Sequence, residues 1–220
     1  MATHPPAPAT ASVVSLLGLL AYGELVAFDR TAKDARLAPD LGKRAALSRM
    51  AAAEIHHYEA LVARITELGG DPEEAMAPFV AAIDAFHDST RPRNWLEGLV
   101  KVYVGDGIAD DFFREIADFL DEVDRDLVLE VLHNVEHAEF AVVEINAAIE
   151  ADPTVAGRLA LWARRLVGEA LSQSQRVAAE HDALTTLIVE GTGDLAQVGE
   201  LIKRLMSAHA DRMAELGLNN

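Results

Sequence analysis

Glu54 and His57 are the residues of this chain whose types and spacing most directly offer chemistry. They lie in Met50-Ala-Ala-Ala-Glu-Ile-His-His-Tyr-Glu-Ala-Leu61, inside a stretch with neither Gly nor Pro from Lys43 to Leu68, which reads as one helix. Leu47, Met50, Leu61, Ile65 and Leu68 form its apolar stripe. Glu54 and His57 fall in the same stripe, and residues three apart share a helix face. A buried carboxylate and a buried imidazole each need a partner. A metal ion would satisfy both at once, through a carboxylate oxygen and a ring nitrogen. Glu-x-x-His pointing into a helical bundle is the pattern of dinuclear carboxylate metal sites. The plainer reading of so short a motif is a surface Glu beside a hydrogen-bonded His.

The elements that must position this pair are all helices. Residues 1–12, opened by a Pro-rich run, read as a disordered tail, and 13–220 as a single domain. A first helix is expected from an N-cap at Ser12 to Ala35, with Glu24 as the one acid in its stripe and Gly23 allowing close helix approach. Gly69-Gly70 ends the second helix. The connection from Asp71 to Pro92, with a short helix at Met76–Phe86, is too long for a hairpin and suits a crossover along a bundle. A third helix spans Asn94–Leu120, with Asp106 in its stripe, Asp110 as the rival acid, and Gly105 and Gly107 inside it. A fourth runs from Asp124 to Ile149 and carries Glu130, His133, Asn134, Glu136, His137 and Glu139. Asp152-Pro153 opens a fifth helix to Val189, and a sixth fills Leu195–Leu216. Glu169, at a core spacing on the fifth helix, is either a further ligand or the partner of Arg165; His209 reads as a satisfied core histidine.

Residues 17–68 and 99–150 repeat one pattern. Leu20-Ala-Tyr-Gly23-Glu24 parallels Val102-Tyr-Val-Gly105-Asp106, and His57-Tyr-Glu59 parallels His137-Ala-Glu139. Each half is a helical hairpin with a carboxylate on one arm and a His on the other. Two such hairpins, packed head to tail, bring the four groups to one level. The second half is imperfect, because Asn134 stands opposite Glu54 and an amide is a poor bridging ligand. Glu130-x-x-His133 and Glu136-x-x-Glu139 are the alternatives; the repeat favours His137, with Glu130 or Asn134 one or two helical turns before it. The metal ligands read from the sequence are therefore Glu24, Glu54, His57, Asp106, His137 and Glu130, with Asp110, Asn134, Glu136 and Glu169 as further candidates.

Composition sets bounds on this reading. The chain has 220 residues, is 50% hydrophobic and contains no Cys, which excludes disulfides, thiolate metal sites and cysteine nucleophiles. A net charge of −17 repels nucleic acid and anionic membranes at long range. The apolar run Val13–Ala21 reads as too short to span a bilayer and lacks a basic n-region before it, so a cytoplasmic protein is expected. A homodimer through the long C-terminal helices is the expected assembly.

Tyr22-Gly-Glu-Leu-Val-Ala-Phe-Asp-Arg30, Tyr103-Val-Gly-Asp-Gly-Ile-Ala-Asp-Asp-Phe-Phe-Arg-Glu-Ile116, His137-Ala-Glu-Phe140 and Leu166-Val-Gly-Glu-Ala-Leu-Ser-Gln173 carry a family resemblance. The chain resembles the actinobacterial ferritin-like proteins described as similar to the MiaE-type tRNA hydroxylase. The resemblance implies an all-α, ferritin-like four-helix bundle with a long crossover and two additional C-terminal helices. It implies a non-haem di-iron monooxygenase, with two iron ions (manganese sharing the same ligands), a small-molecule or nucleoside-like substrate and a reductant. By position, Glu24, Glu54 and His57 would hold one ion, and Asp106 and His137 with a further acid the other. The charge of −17 disfavours tRNA itself. The alternatives are a ferritin-like metal-binding protein without hydroxylase activity, and a helical interaction module whose degenerate site holds no metal.

Overall fold

The computed structural model describes residues 9–132, 135–193 and 195–218, without the side chains of residues 135–137 and 195. Among these residues the fold is all helix, with no strand. Helix α1 (Thr10–Asp34) continues through a 3-10 turn and packs along its length on α2 (Leu41–Glu67). It begins at Thr10 with no side-chain cap, and Ser12 is buried within its first turn rather than capping it. Asp40 caps α2 by accepting the Lys43 amide at 2.8 Å. Gly69, at φ 80°, ends the helix as expected, since the left-handed conformation carries no Cβ penalty there.

The crossover holds α3 (Pro72–Met76), a 3-10 turn and α4 (Val80–Ser89). Next come α5 (Trp95–Val100), a π-helical segment (Lys101–Asp106) and α6 (Gly107–Ala117), which together form the expected third helix. The expected fourth helix is two, α7 (Glu122–Val131) and α8 (Val135–Ala151). The fifth also divides, at His181, into α9 (Thr154–Glu180) and α10 (Asp182–Thr192). Neither division has Gly or Pro at the break. The last element is α11 (Leu195–Glu215).

On α1, Gly18 rather than Gly23 is the close-approach glycine. A Cβ at Gly18 would lie 2.3 Å from the Ala75 carbonyl oxygen, whereas Gly23 has open space around it. By length and composition the segment Thr10–Leu37 could cross a membrane, so the apolar run is longer than Val13–Ala21. Half of its most apolar window is buried inside this fold, where Val13, Leu16, Leu17 and Leu20 join a core.

Two apolar clusters make up that core. The first gathers Leu16 and Leu17 of α1, Leu61 and Ile65 of α2, and Phe113 and Ile116 of α6. The second gathers Leu47 and Met50 of α2, Leu99 and Val104 around the π-segment, Ile145 of α8 and Leu166 of α9. Each fully buried Leu or Ile stabilises the fold by ~1.5–3 kcal/mol. On α2 the gap between the clusters holds Glu54 and His57; on the third helix it holds Asp106 and Asp110; on α1 Glu24 follows the first cluster directly. The core is thus cut by a layer of ionisable side chains.

Candidate metal centre

Glu24 is buried on α1, and Glu54 and His57 face it from α2. His57 Nδ1 lies 3.3 Å from Glu24 Oε2 and 3.6 Å from Glu54 Oε2. One ligand atom from each of the three residues fits within 4.8 Å of the others, as donors around one ion must. The 3.6-residue period puts Glu54 and His57 on one face of α2, and the α1–α2 packing brings Glu24 against it.

Two carboxyls this close, taken out of water, repel one another. Burial drives the Glu24 carboxyl well above the usual range; the His57 bond opposes this, and neighbouring Glu54 adds to it. The Glu24 and Glu54 carboxyls beside its Nδ1 raise His57 to about 10, which favours the protonated ring where no metal is bound. A proton is doing what a divalent cation could do better, and ligation would displace it.

Asp106 and Asp110 belong to the same layer. Burial lifts Asp106 well above the carboxylate range, and the charges of Glu54 and Asp110 add to the shift. Burial also lifts Asp110 to about 7, with Arg114 opposing and Glu54 reinforcing. Both acids are therefore electrostatic neighbours of Glu54, though neither joins the tight group of three.

The other expected ligands fare differently. Glu130 is exposed near the end of α7, turned to solvent because Val128 and Val131 take that helix's buried face. It does not belong to the group of three formed by Glu24, Glu54 and His57 among the described residues. Asn134 and His133, and the side chains of Glu136 and His137, lie outside the described residues. Glu169 is half-buried on α9, and its expected partner Arg165 instead donates to the Ser89 carbonyl at 2.7 Å. His209 is buried as expected, but its Nδ1 has no hydrogen-bond partner among the described residues.

Lys101 is the main residue that sequence reasoning passed over. It is 6% exposed, donates to the Thr90 carbonyl at 2.9 Å and stands 5.3 Å from the Phe86 ring centroid. Burial lowers it to about 8, while Asp106 and Asp34 hold its charge. An α-helix would turn residues 101 and 106 about 140° apart, whereas i→i+5 winding stacks them more nearly on one face. The signal was a lone cation in the otherwise apolar run Leu99–Val104.

The donor set, two glutamates and a histidine with further acids opposite, is that of hard-to-borderline metals such as iron and manganese. A sequence model for a family described as a ferritin-like domain of actinomycetes matches residues 8–191. The chain belongs to this family. No curated protein matches it in sequence. The ferritin-like bundle is the fold in which carboxylates and histidines from facing helices build metal sites in the core, and here α1 and α2 supply such a group.

Proposed function

We propose that this ferritin-like protein binds redox-active metal, iron or manganese, through Glu24, Glu54 and His57, with Asp106 and Asp110 completing the site. The convergence of three donors within 4.8 Å inside a ferritin-like bundle carries the reading. The finer proposal is an oxygen-dependent hydroxylase acting on a small or nucleoside-like substrate, with a reductant as electron source. Its support is the resemblance to MiaE-type hydroxylases. A surplus of 36 acidic over 19 basic residues argues against tRNA as the partner.

Iron bound here would supply one-electron redox chemistry and activation of dioxygen. The chain's own part is positional and electrostatic. Glu24 and Glu54 would hold the ion as carboxylates, which change denticity at little cost, and His57 would anchor it through a deprotonated ring nitrogen. The apolar clusters on either side leave the side chains of Glu24, Glu54 and His57 only 11%, 13% and 20% exposed, which strengthens the charge interactions among them.

The test is metal content by mass spectrometry, on protein expressed with iron and manganese supplied. Wild type should carry about two ions per chain, and Glu54→Ala combined with His57→Ala should carry none. A folded, metal-free wild type would sink the proposal.

A further inference from the structure

The matched family domain ends at residue 191, and α11 lies beyond it. Yet α11 is tied into the helix that carries Asp106 and Asp110. Arg212 Nη2 donates to Asp111 Oδ2 at 2.6 Å, and both side chains are largely buried. Arg204 forks onto Glu115 at 2.8 and 2.7 Å. Tyr103 donates to the Glu215 carboxylate. At the end of α11, Gly217 adopts φ 62° and turns the chain so that Leu216 and Leu218 bury in the second apolar cluster.

Arg212 also packs directly against Gly107. A Cβ at position 107 would lie 2.9 Å from Arg212 Nε and 3.1 Å from its Cδ. The guanidinium stem therefore lies against the first residue of α6, in space that only glycine leaves free. Arg212 also reaches Asp110 electrostatically and opposes the rise of its carboxyl. The salt bridge to Asp111 ties α6 to α11 one residue from Asp110.

We propose that α11 acts as a clamp on the metal centre, with Arg212 as a positioning residue that holds α6 so that Asp106 and Asp110 face Glu54. Arg212 is not a ligand in this proposal. It acts through Asp111 and through its seat on Gly107. The proposal rests on the metal-binding reading above.

Cobalt(II) titration of the metal-free protein, followed by the visible absorption of bound cobalt, tests it. Outer partners of metal ligands commonly change metal affinity 10–100-fold when removed. Arg212→Gln should weaken cobalt binding by at least about tenfold and alter the absorption band at saturation. Gly107→Ala, which displaces the guanidinium without changing charge, should move both readouts in the same direction. Arg212→Lys, which keeps the cation, should restore the wild-type band. Far-ultraviolet circular dichroism should be the same for all four proteins; if Arg212→Gln loses helicity, Gly107→Ala decides. Wild-type affinity and band in both Arg212→Gln and Gly107→Ala would overturn the clamp while leaving the metal site intact. Tighter binding in either would also overturn it. A wild type that binds no cobalt would instead overturn the metal reading, and the clamp with it.

Discussion

Glu24, Glu54 and His57 stand on two helices joined by a short turn, in direct contact along their length. Asp106 and Asp110 stand on a helix whose winding, counter-charge and lateral position all come from elsewhere. Its π-segment starts at Lys101, whose ammonium is tied to Thr90 at the end of the crossover, and its Asp111 and Glu115 are tied to α11. The first half of the layer is therefore a local construction and the second a distributed one. A local site tolerates change in distant elements. A distributed site responds to substitutions that never touch a ligand.

The largest test of that contrast is stoichiometric. Removing Glu54 and His57 should abolish binding altogether, because Glu54 faces both halves. Asp106→Asn with Asp110→Asn should lower metal content from about two ions to about one, read by mass spectrometry. Loss of both ions in the aspartate variant would show that the first half is not self-sufficient.

Next in size is Lys101→Met. It leaves the Thr90 carbonyl without its buried donor and takes a counter-charge from Asp106 and Asp34. Urea unfolding should show a loss of about 2–3 kcal/mol. The first half has its own hinge of close contact at Gly18, where α1 meets α3. Gly18→Ala drives a methyl into the Ala75 backbone and should cost about 1–3 kcal/mol, as overpacking does.

A smaller effect concerns pH. His87, on α4, is driven to about 3 by burial, with Lys101 and Arg30 adding to the shift and Asp88 opposing. Its folded value lies below its unfolded one, so the folded state prefers the neutral ring. That stability is present above about pH 6.5 and is lost as pH falls toward 3. His87→Phe should flatten the acid limb of a stability–pH curve by about 0.5–1 kcal/mol per pH unit between pH 6 and 4. An unchanged slope would place the acid sensitivity in other groups. Smallest is Tyr22→Phe, which removes the 3.0 Å bond to Asp84 and should cost about 1 kcal/mol in the same unfolding assay.

How much of this could be read from the sequence follows the same division. Glu24, Glu54 and His57 are conspicuous because ionisable groups interrupt apolar stripes at helical spacing, and that interruption is a local fact. Asp106 and Asp110 were legible as acids inside a stripe, but not their dependence on Lys101 and Arg212. Arg212 lies far along the chain from Asp111, and nothing in either local sequence pairs them. Glu130 reads as a ligand from its motif, whereas its exposure depends on which face of α7 Val128 and Val131 bury. Gly23 was credited with the close approach that belongs to Gly18, since a glycine beside a carboxylate shows in sequence and a carbonyl across an interface does not.

The layer between the two apolar clusters also bears on how the molecule unfolds. Two well-packed ends joined by mutually repelling carboxyls are weakly coupled, and weakly coupled regions open separately. A bound cation turns that repulsion into attraction across three helices. The metal-free protein should then melt broadly, one end ahead of the other, and the loaded protein in a single sharper step. The ion in this architecture is as much a source of cooperativity as of chemistry.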